Sequence, residues 1–278
     1  MRSNSSSVNF MYGTSFGRFL LKVIMKLHLD RIAVWYLRSV FSKRMASRFI
    51  KKHNIDVSHW GNESFRTYRD FFVRKRNSNE FDPESNHLIS PCDGLLSAFS
   101  IDENSIFHIK GSHYQVKDFL QDDSLKEKYL GGTCLVLRLC VTDYHHYCYI
   151  DDGYQGENHQ IPGVLHSVQP IACETYPVFV LNKRCWCLLE TDHFGPVVQC
   201  EIGALVVGGI ENEIENARFT KGSEKGHFEL AGSTIVLLFE ADRINLNPEL
   251  LEALASNEEV RVSLGQWIGT AQEHSADK

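Results

Sequence analysis

Residues 228–240 read Phe-Glu-Leu-Ala-Gly-Ser-Thr-Ile-Val-Leu-Leu-Phe-Glu. The apolar, partly β-branched run Ile235, Val236, Leu237, Leu238, Phe239 predicts a buried strand. A small, flexible pair, Gly232-Ser233, stands immediately before it. Glycine accepts backbone geometry that other residues resist, so a peptide bond at this step can be held in strain. A serine beside a strained carbonyl can attack it with its own Oγ once a base removes the hydroxyl proton. Read alone, Gly232-Ser233-Thr234 is a tight turn ahead of a strand. Its surroundings give the step a chemical reading.

Outward from this strand the texture stays β-rich. Residues 90–101, 105–110, 133–140, 147–151, 163–170, 177–181, 185–191, 196–209 and 234–240 read as short strands separated by Gly, Pro, Asn and Asp signals. A helical tail is expected at 249–256, and one more strand at 259–264. A short helix is expected around 65–76, ending in the polar break Asn77-Ser78-Asn79. Many short strands with few helical windows predict an α+β fold, with a β-rich sandwich or barrel-like body. At 278 residues with 43% hydrophobic content, the chain can bury a full core. Of the eight cysteines, most lie in apolar strand-like runs, where thiols act as small hydrophobes. The close pair Cys185 and Cys187 has no second pair at zinc-site distance, so no metal and no disulfide framework are expected. A reducing compartment fits.

The first 60 residues differ in character and are expected to form an N-terminal helical region, with the catalytic body over 61–278. Residues 1–9 are Ser-rich and expected to be disordered. From Phe16, apolar residues recur at Phe19, Leu20, Val23, Ile24 and Leu27, with Arg18, Lys22 and Lys26 opposite at four-residue spacing. Further helices are expected at 30–41 and 43–53. Residues 10–52 carry ten Lys or Arg against the single acid Asp30, although the whole chain has a net charge of −6. A basic amphipathic arm on an acidic body suits an anionic membrane surface, with Arg18, Lys22 and Lys26 facing the headgroups. The same helices could instead pack on the body. No run reaches the roughly 20 apolar residues of a spanning helix, and no secretory signal opens the chain. A nucleic-acid partner is not expected, since no recognised motif is present and the body is acidic.

Five further stretches carry a resemblance. Pro91-Cys92-Asp93-Gly94 matches a P-x-D-G turn, and Asp143-Tyr144-His145-His146-Tyr147-Cys148 matches most of a D-Y-H-x-x-H segment. Residues 202–208, Ile-Gly-Ala-Leu-Val-Val-Gly, resemble a V-G-A-x-x-V-G strand, and residues 221–228 follow a K-G-x-E-K-G-x-F pattern. Tyr68-Arg69-Asp70-Phe71-Phe72-Val73-Arg74 carries an F-F-x-R element. In this order, and leading into the Gly-Ser-Thr step, they resemble the phosphatidylserine decarboxylase family, from about Met11 to Phe239. The resemblance implies a proenzyme that cuts itself between Gly232 and Ser233 into chains 1–232 and 233–278. Ser233 would become a pyruvoyl group, the cofactor that accepts the electrons left when carbon dioxide departs. Phosphatidylserine would be the substrate and phosphatidylethanolamine the product, at the cytoplasmic face of the cell membrane. The two cleaved chains would stay together as a heterodimer, alone or as a dimer of such pairs.

Self-cleavage needs a serine, a base and a group that orients the base. Asp93 matches the family's orienting aspartate, although its local pattern is also that of a turn carboxylate. The family's base stands where this chain has Cys148, and its usual Leu or Gly before Gly-Ser is Ala231. Three replacements are open, in this order: His145, which matches the family's decarboxylation histidine; His166, beside a glycine break; and a Cys148 thiolate, which requires a nearby cation. His146 is read as an outward neighbour. Two other functions stay open: a pyruvoyl decarboxylase of a soluble amino-acid-like substrate, and a processing-deficient relative that binds lipid.

Overall fold

The computed structural model describes residues 6–27, 29–57, 65–76, 80–109, 112–204, 209–230, 233–256 and 258–272. Gly232 and Ala231 therefore lie outside the described residues, as do Asn77-Ser78-Asn79, positions 205–208 and the boundary expected at residue 60. The helical layer comprises α1 (Ser6–Gly13), α2 (Ser15–Lys26), α3 (Asp30–Arg38), a 3₁₀ turn (Val40–Ser42), α4 (Lys43–His53) and α5 (Tyr68–Phe72). The body follows with β1 (His87–Ile89), β2 (Gly94–Ser100), β3 (Ile106–Ile109), β4 (Ser112–Gln115), α6 (Val116–Leu120), β5 (Thr133–Leu139), β6 (His146–Cys148), β7 (Gly153–Gln155) and β8 (His159–Ile161). Next come α7 (Pro170–Thr175), α8 (Val178–Leu181), β9 (Arg184–Thr191), β10 (Gly195–Gly203), β11 (Gly209–Asn212), β12 (Ala217–Phe219) and β13 (Glu224–Glu229). The chain continues through β14 (Ser233–Phe239), β15 (Ile244–Leu246), α9 (Pro248–Ala255), β16 (Val260–Val262) and β17 (Trp267–Ala271).

A nine-stranded sheet runs β12-β7-β9-β10-β14-β5-β2-β16, with β8 also on β9, and β14 sits in its interior. A second sheet, β11-β13-β6, and a third, β1-β17-β15, pack nearby. The fold is α+β, and the sheets do not close into a barrel among the described residues. Both faces of β14 are covered, which explains its unbroken apolar run. Val236 and Leu238 join one core with α1, α2, α7 and α8, where Val8, Tyr12, Leu21, Ala172 and Phe179 are buried. Ile235, Leu237 and Phe239 join the opposite core with β6, β13 and β17. Side chains alternate along a strand, so Ser233 belongs with the second face and Thr234 with the first.

Five expectations are corrected. Residues 6–9, expected to be disordered, begin α1, because Val8 and Tyr12 bury themselves against the body. Residues 177–181, expected as a strand, form α8: a short apolar run carries no period long enough to separate strand from buried helix. Residues 163–170 are irregular apart from an isolated bridge at Val164, and Pro170 opens α7. The single strand expected over 196–209 ends at Gly203, and the chain re-enters a different sheet at Gly209. The helix expected over 30–41 stops at Arg38, and a 3₁₀ turn follows.

The helical layer presents two surfaces. On α2 the buried side is Gly17 and Leu21, while Phe16 and Phe19 remain exposed. A Cβ at Gly17 would lie 2.0 Å from the Phe10 carbonyl oxygen, so only glycine permits this crossing of α1 and α2. On α3 and the turn after it, Ile32, Trp35, Val40 and Phe41 are also exposed. The periodic apolar residues of this arm therefore stay largely uncovered, beside Arg18, Lys22 and Lys26.

Candidate active site

Ser233 opens β14 and is paired laterally with Gly203 of β10 and Leu139 of β5. It is 1% exposed, and its Oγ has no hydrogen-bond partner among the described residues. A buried hydroxyl without a partner is costly, which makes Ser233 Oγ a candidate for chemistry rather than packing.

β5 continues past Leu139 through a tight turn into Tyr144 and His145. Asp143 braces that turn: its carboxylate accepts from Cys140 N at 2.7 Å and from Arg261 Nη2 at 2.5 Å. The backbone carbonyl of Asp143 lies 2.9 Å from His145 Nδ1. A carbonyl only accepts, so Nδ1 carries the proton and Nε2 keeps its lone pair. That Nε2 is buried and has no partner among the described residues. Burial drives the His145 pKa down to about 3, outweighing the hydrogen bond to Asp143, so the ring is neutral near pH 7. The Phe72 ring lies on it, with centroids 4.1 Å apart. The His145 carbonyl accepts from Phe228 N at 2.9 Å, which ties this histidine to the strand leading toward Ser233. An unpartnered hydroxyl and an unpartnered imidazole lone pair thus belong to adjoining segments.

Asp93 sits just before β2. Its Oδ1 accepts from Leu264 N at 2.8 Å and its Oδ2 from Arg76 Nη2 at 2.7 Å. No hydrogen bond joins it to a histidine ring among the described residues. Arg76 in turn lies over the Tyr144 ring at 4.3 Å, and its backbone N–H donates to the Tyr144 hydroxyl at 3.0 Å. The link from Asp93 toward His145 therefore runs through Arg76 and Tyr144.

Cys148 occupies a small apolar cluster with Ile89, Tyr144 and Leu264. Its Sγ faces the Ser90 carbonyl at 3.9 Å, and burial pushes the thiol up to about 12. A thiol in that environment is a packing group near neutral pH. His166 is placed apart from β6. Its Nδ1 lies 3.3 Å from the Tyr12 hydroxyl and its ring stacks on Tyr176 at 4.7 Å. Tyr12 belongs to the core on the face of β14 opposite Ser233.

His146 is buried, not outward. Its Nε2 lies 3.0 Å from the Val73 carbonyl and its Nδ1 2.6 Å from Glu224 Oε1. Burial opposes the charge on Glu224, but hydrogen bonds from His146 and Lys75 bring its pKa down to about 2. His146, Glu224 and His227 place ligand atoms within 4.8 Å of one another, a grouping absent from the sequence reading, which expected no metal. Lys75 and His146 already engage its carboxylate.

The K-G-x-E-K-G run proves to be a set of fasteners. Lys221 Nζ donates to the His87 carbonyl at 2.8 Å, and fully buried Lys225 pairs with fully buried Glu201 at 2.9 Å. Both residues hold β13 against the body, just ahead of Ser233. Arg76, Asp143, Arg261 and Glu224 are the site residues that sequence reasoning did not assign. Asp143 and Glu224 stood inside quoted motifs, whereas Arg76 and Arg261 left no local signal.

The sequence model of the phosphatidylserine decarboxylase family matches residues 68–270. The chain is 39% identical over 268 residues to phosphatidylserine decarboxylase proenzyme 2 of Clostridium acetobutylicum, covering 95% of this chain and 92% of that protein. It is 37% identical to the phosphatidylserine decarboxylase proenzyme of Clostridium beijerinckii, over 95% of this chain and 92% of the relative. The proenzyme of the same name from Clostridium perfringens is 36% identical, over 94% and 92%.

Proposed function

The chain belongs to the phosphatidylserine decarboxylase family, and on that premise we propose that it is a proenzyme that cuts itself between Gly232 and Ser233 and then converts phosphatidylserine to phosphatidylethanolamine through a pyruvoyl group made from Ser233. The observation that carries this reading is a pair of buried atoms without partners among the described residues, Ser233 Oγ and His145 Nε2. One is a donor without an acceptor and the other an acceptor without a donor.

In the first step Ser233 Oγ attacks the Gly232 carbonyl while His145 Nε2 takes the hydroxyl proton. The carbon–nitrogen bond breaks, the proton passes to the departing amine nitrogen, and an ester joins residues 232 and 233. Loss of the Cα proton of residue 233 then expels the Gly232 carboxylate and leaves a dehydroalanine. Water replaces its nitrogen, which departs as ammonia. The pyruvoyl group supplies an electrophilic carbonyl able to accept the electrons released with carbon dioxide. His145 is neutral and fixed in one tautomer, so its Nε2 can hold and return a proton in both phases. Asp93 pairs with Arg76, whose guanidinium lies over Tyr144, and this pair braces that wall of the site.

The exposed apolar residues Phe16, Phe19, Ile32, Trp35 and Phe41, flanked by Arg18, Lys22 and Lys26, support peripheral binding to an anionic membrane surface. We place that surface at the cytoplasmic face of the cell membrane, with the cleaved chains retained as a heterodimer. No helix among the described residues is long and apolar enough to cross a membrane.

Intact mass of the purified protein tests the reading. Two chains are expected, the smaller starting at residue 233 and carrying a keto group in place of its amino nitrogen. A single chain of 31.8 kDa that turns over no phosphatidylserine would overturn it.

A further inference from the structure

Glu229 and Leu230 are the last described residues before Ser233. Their side chains are held by the N-terminal helices, while Ser233 is held by the interior of the large sheet. Glu229, 5% exposed, receives Arg69 Nε on Oε1 at 3.0 Å, and Arg69 Nη2 approaches the same oxygen. Arg38, the last residue of α3, takes the other oxygen. Burial opposes the charge on this carboxylate, yet the two guanidinium groups lower its pKa overall. A Cβ on the cross-strand partner Gly209 would come within 2.7 Å of Glu229 Cβ, so glycine there leaves the carboxylate stem its space. Leu230 is fully buried in a cluster with Ala46 of α4 and Tyr68, Phe71 and Phe72 of α5. Its φ is +39°, a left-handed conformation that a leucine adopts only where its surroundings impose it.

We propose that Arg38, Arg69 and Glu229 form a positioning clamp for self-cleavage, with Leu230 as its apolar peg. The helical layer fixes the chain on the amino side of the Gly232–Ser233 junction, while β14 fixes it on the carboxyl side. An attacking oxygen and a carbonyl in the same chain react only while both flanks hold them in near-attack geometry. Releasing one flank lets the segment relax. The inference rests on the self-cleavage reading and assigns residues to it that lie outside the Ser-His-Asp set.

The test follows cutting of freshly translated full-length chain over time on denaturing gels. Glu229→Gln is expected to cut at least about ten-fold more slowly, because small misplacements of reacting groups cost that much or more. Arg38→Gln and Arg69→Gln should each slow it less, and Arg69→Lys should recover part of the rate. Thermal midpoints measured in a Ser233→Ala background separate positioning from folding: the clamp predicts slow cutting with a midpoint close to the parent's. Hydroxylamine, which splits esters, should fail to restore cutting in Glu229→Gln, since the ester itself forms slowly. Cutting at the parental rate in Glu229→Gln, or full rescue by hydroxylamine, overturns the clamp. Should Glu229→Gln unfold, Arg38→Gln alters a half-exposed side chain and decides the matter in the same way. Failure of the parent chain to cut sinks the self-cleavage reading itself, a result distinct from these.

Discussion

His145 donates its Nδ1–H to the carbonyl of Asp143, 2.9 Å away, and this one bond leaves Nε2 as a buried lone pair with no partner among the described residues. The turn that provides the carbonyl is itself closed by the Asp143 carboxylate on Cys140 N and Arg261. In the proposed self-cleavage, a backbone carbonyl does the orienting that a carboxylate does in a hydrolase triad.

His145→Ala should therefore abolish both self-cleavage and turnover, while His166→Ala, on the far side of β14, should cut nearly normally. Gels and a decarboxylase assay on co-purified material check this. Uncut His166→Ala protein with normal folding would transfer the base role to His166.

The pH dependence follows from the same burial. The folded pKa of His145 is depressed from 6.5 to about 3, so the unfolded chain binds the extra proton first as pH falls. Stability should decline from about pH 6.5 toward 3, and remain flat above that window for this group. Denaturation of Ser233→Ala at stepped pH measures it. His145→Gln in that background should shallow the decline. Cleavage in the parent should show no inflection near pH 6.5.

Asp93 and Arg76 should behave as one unit. Asp93→Asn and Arg76→Gln are each expected to slow cutting, and the double variant should cost less than their sum. Additive losses in the double-mutant cycle would show that Asp93 acts without Arg76.

Cys148→Ser should fold with a loss of about 1–3 kcal/mol, the cost of a poorly satisfied buried hydroxyl, and should still cut. Chemical denaturation and gels report the two effects. A serine variant that folds but does not cut would return the thiol to the chemistry.

Replacing Arg18, Lys22 and Lys26 by glutamine should weaken binding to anionic vesicles by about 1 kcal/mol per charge at low salt. Vesicle sedimentation measures it. Turnover of a detergent-dispersed short-chain substrate should change little, and equal loss in both assays would favour a packing role.

The serine, the strand it opens and the amphipathic arm were legible in the sequence because each is written in local order. An unbroken apolar run, a Gly-Ser step and a 3.6-residue period need no distant partner to be recognised. Residues 177–181 misled for the converse reason: five residues fit strand and helix alike, and packing against α6 and α7 settled α8. The tautomer of His145, the bond from Arg76 to Asp93 and the arginines on Glu229 join residues from 2 to 191 positions apart. Only the fold brings such groups together and removes water from them. Sequence therefore determined which residues carry reactive atoms, whereas tertiary structure decided which of those atoms are left without partners. That second decision belongs to burial, because an atom lacks a partner only where the packed core excludes the solvent that would otherwise supply one.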